Sequence, residues 1–242
     1  MRSLAVFSVK GGVGKTALAV NLAHVSATLS KRRTLLWDLD AQGAATWTLR
    51  LAAAPKASAR KGIAGGELAP LIQNTEFAGL DVLAADRSLR NLEKQLADDD
   101  KSKRLRKLLK SLDRDYDRII LDCPPGLTEL ADQVFRAVDL LVVPMLPSPL
   151  SMRAFDQLVD HIGRLREAPR ILPVFTMVDR RKTLHRDTVA AAPDRPAIPY
   201  AAAIEAMAVS RQPVMARSPS SPAARALGDL WIEIERTLAR PA

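Results

Sequence analysis

Residues 4–20, LAVFSVKGGVGKTALAV, join an apolar run to a glycine-rich loop and then to an amphipathic segment. No other stretch of the 242-residue chain restricts its fold as tightly. A loop of free backbone N–H groups leading into a helix attracts phosphate, and a lysine in the first helical turn adds a point charge. Gly11, Gly12 and Gly14 allow the backbone to wrap phosphates, Lys15 is placed to reach the outer ones, and Thr16 offers its hydroxyl to Mg²⁺. Val9 stands where the G-x-x-x-x-G-K-[ST] pattern has its first glycine, and a second lysine, Lys10, needs a separate reason.

The rest of the chain repeats the alternation of strand and helix. TALAVNLAHVSATLSKRR spaces Leu18, Leu22, Val25 and Leu29 as a helix, with Lys31, Arg32 and Arg33 expected at its C-terminal end, where the dipole favours cations. RTLLWDLDAQG reads as a buried strand ending in Asp38 and Asp40, and GLDVLAAD as a short strand. DRIILDCPPG, VDLLVVPMLP and RILPVFTMVD are apolar runs of the length expected for strands buried on both faces of a parallel sheet. These features predict an α/β, doubly wound, mostly parallel sheet with helices on both faces and a ligand at the C-terminal strand edges. Residues 52–67 lack periodicity and are expected to form a mobile surface segment, not a domain boundary. At 48% hydrophobic content the chain suits one compact domain over residues 1–242.

Composition excludes some chemistry. The single cysteine, Cys123, rules out an internal disulfide and any multi-thiolate metal site within one chain, and His24, His161 and His185 are scattered in sequence. No apolar run approaches bilayer length and Leu4–Val9 is too short for a signal segment, so a cytoplasmic protein is expected. The net charge of +9 fits either a polyanion partner or a merely soluble basic surface.

Asp122 closes the strand RIILD and is suited to hold the Mg²⁺ water shell across from Thr16. Asp38 and Asp40, two residues apart on a strand, would leave the same face and point at the same phosphate edge, where one could orient an attacking water. Loop capping is the plainer alternative for both.

KGGVGKT with its extra lysine, DLDAQGAAT, YDRIILDCPPG, DLLVVPMLPSPLSM, TMVDRRKTL and the late IPY and QPV occur in the order seen in ParA/MinD-type, or deviant Walker A, ATPases, which the chain resembles over nearly its whole length. It is most similar to small ParA-type partition and positioning ATPases, with no room for an N-terminal helix-turn-helix module. The resemblance implies ATP and Mg²⁺ as cofactors and a slow, partner-stimulated ATPase. It implies an ATP-dependent homodimer in which Lys10 reaches the nucleotide of the partner subunit while Lys15 serves its own. Gly11, Gly12, Val13, Gly14, Lys15, Thr16 and Ala17 would hold the nucleotide, with Met177, Asp179 and Pro199 near the adenine. Asp40 would be the hydrolytic residue and also near the metal, Asp38 its neighbour, and Asp122 the Walker B residue.

The implied partners are non-specific double-stranded DNA and a cargo-associated ParB-like or adaptor protein, in a nucleoid-associated cytoplasmic setting. The cargo would be a plasmid, a chromosome or a protein cluster. Two departures matter. Ala41 replaces a proline common in relatives, which puts little in doubt. Tyr200 and Ala203 occupy places where relatives carry arginines after IP, so DNA contacts would fall to Arg180, Arg181, Lys182, Arg186, Arg211, Arg217 and Arg225, or to the basic helix face around Arg106. Scattered solubility charge is the alternative for all of these. A MinD-like membrane-associated ATPase is the competing function, but Glu233 and Glu235 offset Arg236 and Arg240 on a C-terminal helix whose stripe of Leu227, Leu230, Trp231, Ile234 and Leu238 reads as core.

Overall fold

The computed structural model describes residues 1–52, 68–85 and 104–240. The alternation read from the sequence folds into one eight-stranded sheet of order β3-β4-β2-β5-β1-β6-β7-β8. Its strands are β1 (Arg2–Val6), β2 (Thr34–Asp38), β3 (Ile72–Asn74), β4 (Leu80–Leu83), β5 (Arg118–Asp122), β6 (Leu140–Met145), β7 (Arg170–Val178) and β8 (Ala197–Pro199). All neighbours pair in parallel except β3 with β4. Every residue of β2 and β6 is buried, so both faces of the sheet are covered there, as continuous apolar runs require.

Helix α1 (Lys15–Thr28) starts directly from the glycine loop and packs on β1, β2 and β5. The helix stops at Thr28, so Lys31, Arg32 and Arg33 lie beyond its last turn and do not complement its dipole as expected. Arg32 and Arg33 instead face Glu235 and Asp117 at the opposite edge of the sheet from the loop. Helix α2 (Ala44–Thr48) follows β2, and α3 (Arg104–Ser111) precedes β5. Next come α4 (Glu129–Ala137), α5 (Pro149–Gly163) and α6 (Thr183–Ala190), each after a strand. Three single turns, α7 (Ala202–Glu205), α8 (Met207–Ser210) and α9 (Val214–Arg217), lead to the long α10 (Pro222–Ala239).

The stripe of Leu227, Leu230, Trp231, Ile234 and Leu238 on α10 is buried, against α1 and β8. Glu235 accepts both Nε and Nη2 of Arg118 at 2.7 Å, tying α10 to the start of β5. Asn21 makes a second tie. Its Oδ1 accepts the Val214 N–H at 2.8 Å and its amide nitrogen donates to the Ala17 carbonyl, so a polar residue inside an apolar helix face anchors the short C-terminal turns. Most of residues 52–67, with Asp86 of the segment GLDVLAAD, lies outside the described residues.

Candidate active site

The C-terminal edges of β1, β2 and β5 meet where the chain turns from one half of the sheet to the other, the place where open α/β sheets bind ligands. From β1 the chain enters the loop Lys10–Gly14. Gly14 takes φ +85° as it caps α1, a conformation that strains any residue with a side chain. A Cβ at Gly14 would also sit 3.6 Å from the Met177 thioether methyl. At Gly11 and Gly12 nothing lies within 4 Å of an added Cβ, leaving the loop backbone open to a phosphate chain.

Lys15 is buried, 8% exposed, and its ammonium donates to the Lys10 carbonyl at 3.2 Å. Burial lowers its pKa, and the nearby carboxylates of Asp122 and Asp40 work against that shift. The Lys10 side chain is half-buried and has no hydrogen-bond or ion-pair partner among the described residues.

Asp38 and Asp122 are register partners at the ends of neighbouring parallel strands, and both are fully buried. Burial raises the Asp122 pKa well above the usual carboxylate value, and Asp38 beside it adds to the rise; the Thr16 hydroxyl favours the charged form. Even so, neither Asp122 oxygen accepts a hydrogen bond of ordinary geometry among the described residues. A buried carboxylate without donors is costly, and a hard cation with its water shell, held between Asp122 and the Thr16 hydroxyl, would satisfy it. The oxygen donors therefore fit Mg²⁺.

Asp38 behaves differently. Burial pushes its pKa up to about 6, against the hydrogen bonds it accepts from Thr46 and from the Asp40 N–H. Because β2 ends at Asp38, the alternation expected to aim both carboxylates at one edge does not extend to Asp40. Asp40 lies half-buried in the following turn, where its Oδ1 accepts the Gln42 N–H at 2.9 Å.

Val13 is buried beneath the loop, and its carbonyl accepts the Thr176 hydroxyl at 2.9 Å. That contact comes from an irregularity in β7, where the register shifts between Phe175 and Val178 and Met177 adopts φ +53°. Gly14, Ala17, Leu18, Met177 and Ile198 line a narrow apolar pocket of about 30 Å³. Pro199 pairs with Val178 beside it. Asp179 is held by Arg181 through two guanidinium bonds, at 2.9 and 3.0 Å, and one from its backbone N–H at 3.1 Å, which keep its pKa down at about 2. The structure thus gathers Lys10, Lys15, Thr16, Asp38, Asp40 and Asp122 around one loop, with Met177 and Pro199 flanking it.

The basic candidates fall in two groups. Arg180, Arg181, Lys182 and Arg186 are exposed around the turn from β7 into α6. Arg217, the last residue of α9, and Arg225, in the first turn of α10, are exposed, while Arg211 lies with its guanidinium 3.9 Å over the Trp47 ring and donates to the Trp47 carbonyl. Arg106 pairs with Glu167. Thr46, Thr176 and Asn21 escape sequence reasoning, since only the fold shows what each one bonds.

Residues 1–172 match the family model described as an AAA domain. The chain is 34% identical over 195 residues to the chromosome partitioning protein ParA of Caulobacter vibrioides, covering 76% of this chain and 72% of that protein. Its fold matches that of a Cyanothece McdA variant in complex with ATP at a TM-score of 0.83 and 20% identity, over 100% of this chain and 98% of the other. The septum site-determining protein MinD of Pyrococcus horikoshii, complexed with Mg-ADP, matches at 0.79 and 21% identity, over 98% and 97%.

Proposed function

The chain belongs to the ParA/MinD family of partition and positioning ATPases, and on that premise we propose that it binds ATP with Mg²⁺ in the loop of residues 10–17, hydrolyses it slowly, and works as an ATP-dependent homodimer on non-specific double-stranded DNA. The observation that carries this reading is the buried Lys15 within electrostatic reach of the buried Asp122, whose oxygens accept no hydrogen bond of ordinary geometry among the described residues, beside an open glycine loop. A fixed cation and a carboxylate lacking donors form a dipolar cleft that a metal–triphosphate completes.

Lys15 and the loop N–H groups would hold the outer phosphates, and Thr16 and Asp122 would hold Mg²⁺, which when bound neutralises phosphate charge. Asp40, in the turn beside them, would orient the attacking water, since phosphoryl transfer asks the protein mainly for positioning and charge. Lys10 has no partner of its own among the described residues. It would reach the nucleotide of a facing subunit and so make the dimer depend on ATP. One ATPase domain spanning 1–242 is part of this proposal.

The relative from Caulobacter vibrioides is a chromosome partitioning protein, which supports DNA as the platform; a cargo-bound adaptor of ParB type would stimulate hydrolysis. Among the described residues no helix is long and apolar enough to cross a membrane, and the α10 stripe is already spent on the core. Sedimentation with random duplex DNA in ATP, ADP and no nucleotide tests the reading. Retention only with ATP is expected. Sedimentation with anionic vesicles and not with DNA would replace it by a membrane platform.

A further inference from the structure

We propose that Thr46 is a positioning residue for hydrolysis, acting through Asp38 on the turn that carries Asp40; the inference rests on the ATPase reading above. Asp38 has both oxygens engaged. Oδ1 accepts the Asp40 N–H at 3.2 Å, and Oδ2 accepts both the N–H of Thr46 at 2.9 Å and its hydroxyl at 2.7 Å. The Thr46 oxygen in turn accepts the Ala85 N–H at 2.9 Å. One buried hydroxyl, 3% exposed, therefore joins the end of β2 to the chain leaving β4.

Asp40 has no comparable seat. Among the described residues its carboxylate accepts a hydrogen bond only from the Gln42 N–H, and its carbonyl accepts the Gly43 N–H at 2.8 Å within the same turn. Where Asp40 sits is thus decided by what holds the turn at its two ends, and Asp38 grips both, one oxygen on Asp40 and the other on Thr46. Gly43, at φ +68°, lies against Ala85, so the turn rests on the residue that Thr46 bonds. This arrangement assigns Asp38 to support of the turn and makes the Thr46 hydroxyl the piece that fixes Asp38. Without it, Oδ2 loses a donor and the Ala85 N–H loses its acceptor, both in a buried setting where unpaired groups force rearrangement. A displacement of the water-orienting carboxylate of about 1 Å is enough to cost roughly 100-fold in rate.

The test compares full-length Thr46→Val, which removes the hydroxyl at nearly constant shape, with Thr46→Ser, which keeps it, alongside wild type and Asp40→Ala. Single-turnover hydrolysis and calorimetric ATP affinity are read together. Thr46→Val is expected to lower the hydrolysis rate about 10- to 100-fold with ATP affinity unchanged, and Thr46→Ser to restore the rate. Wild-type turnover in Thr46→Val beside an inactive Asp40→Ala overturns this proposal alone, as does loss of ATP binding together with turnover, or equal loss in Thr46→Ser. No hydrolysis by wild type removes the ATPase reading and this proposal with it, whereas full hydrolysis by Asp40→Ala leaves the ATPase reading standing, rules out Asp40 as the water-orienting residue and so overturns this proposal. If Thr46→Val does not fold, hydrogen exchange on the wild-type chain decides: a protected Ala85 amide supports the bridge, and a rapidly exchanging one overturns it.

Discussion

Lys10 and Lys15 stand five residues apart and differ in almost everything but charge. Lys15 is enclosed and bonded to the loop it belongs to, whereas the Lys10 side chain is half-buried with no partner among the described residues. Lys15→Ala removes a buried cation from the phosphate cleft, so ATP affinity measured by calorimetry should fall at least about 10-fold. Lys10→Ala should leave that affinity within about threefold and abolish the ATP-dependent dimer in light scattering; a normal dimer in that variant would exclude the cross-subunit contact. The gathering of Lys15, Thr16 and Asp122 was legible from sequence because each stands at a fixed spacing from a glycine loop or a strand end. The Asp38–Thr46–Ala85 bridge was not, since its partners lie 8 and 39 residues apart and no local pattern marks a threonine that will bond two strands.

Among the elements, α1 does the most to join the site to the core, and it encloses an ionisable group. His24 is buried on its inner face with its ring edge-on to Phe77, centroids 4.7 Å apart, and its Nδ1 has no hydrogen-bond partner among the described residues. Burial lowers its pKa to about 4 from 6.5. The unfolded chain therefore binds the extra proton between those values, so stability is full above pH 6.5 and falls as pH drops towards 4, by at most about 3 kcal/mol. The raised pKa values of Asp38 and Asp122 act in the opposite sense over this range in both proteins, so urea melts should show stability rising with pH more steeply, or falling less, in wild type than in His24→Leu; equal slopes would mean the ring is solvated. The long strands were readable as apolar runs, but β3 and β8 have three residues each, too few for periodicity to register. The turns α7, α8 and α9 are of the same kind, fixed by tertiary ties such as Asn21 to Val214 and not by local propensity.

At the scale of the molecule, the excess of positive charge is spread over separate surfaces, and two such surfaces brought together by dimerisation would meet DNA as one. Affinity for random duplex should then rise steeply with ATP and fall steeply with salt as counterions are released. Mobility shifts of the ATP-trapped Asp40→Ala dimer on two unrelated duplexes should give equal affinities, and charge reversal at Arg217 or Arg225 should weaken both without altering dimerisation. A marked preference for one duplex would contradict backbone recognition. Arg211 is committed differently, its guanidinium lying over Trp47 immediately after the Thr46 bridge. Of the three tryptophans, Trp37 and Trp231 are buried and Trp47 is more than half exposed. The chain thus carries its own optical reporter: red-edge emission, and its quenching by iodide or acrylamide, would come from the indole beside the turn that carries Asp40, so nucleotide-driven movement there could be followed in the unlabelled protein.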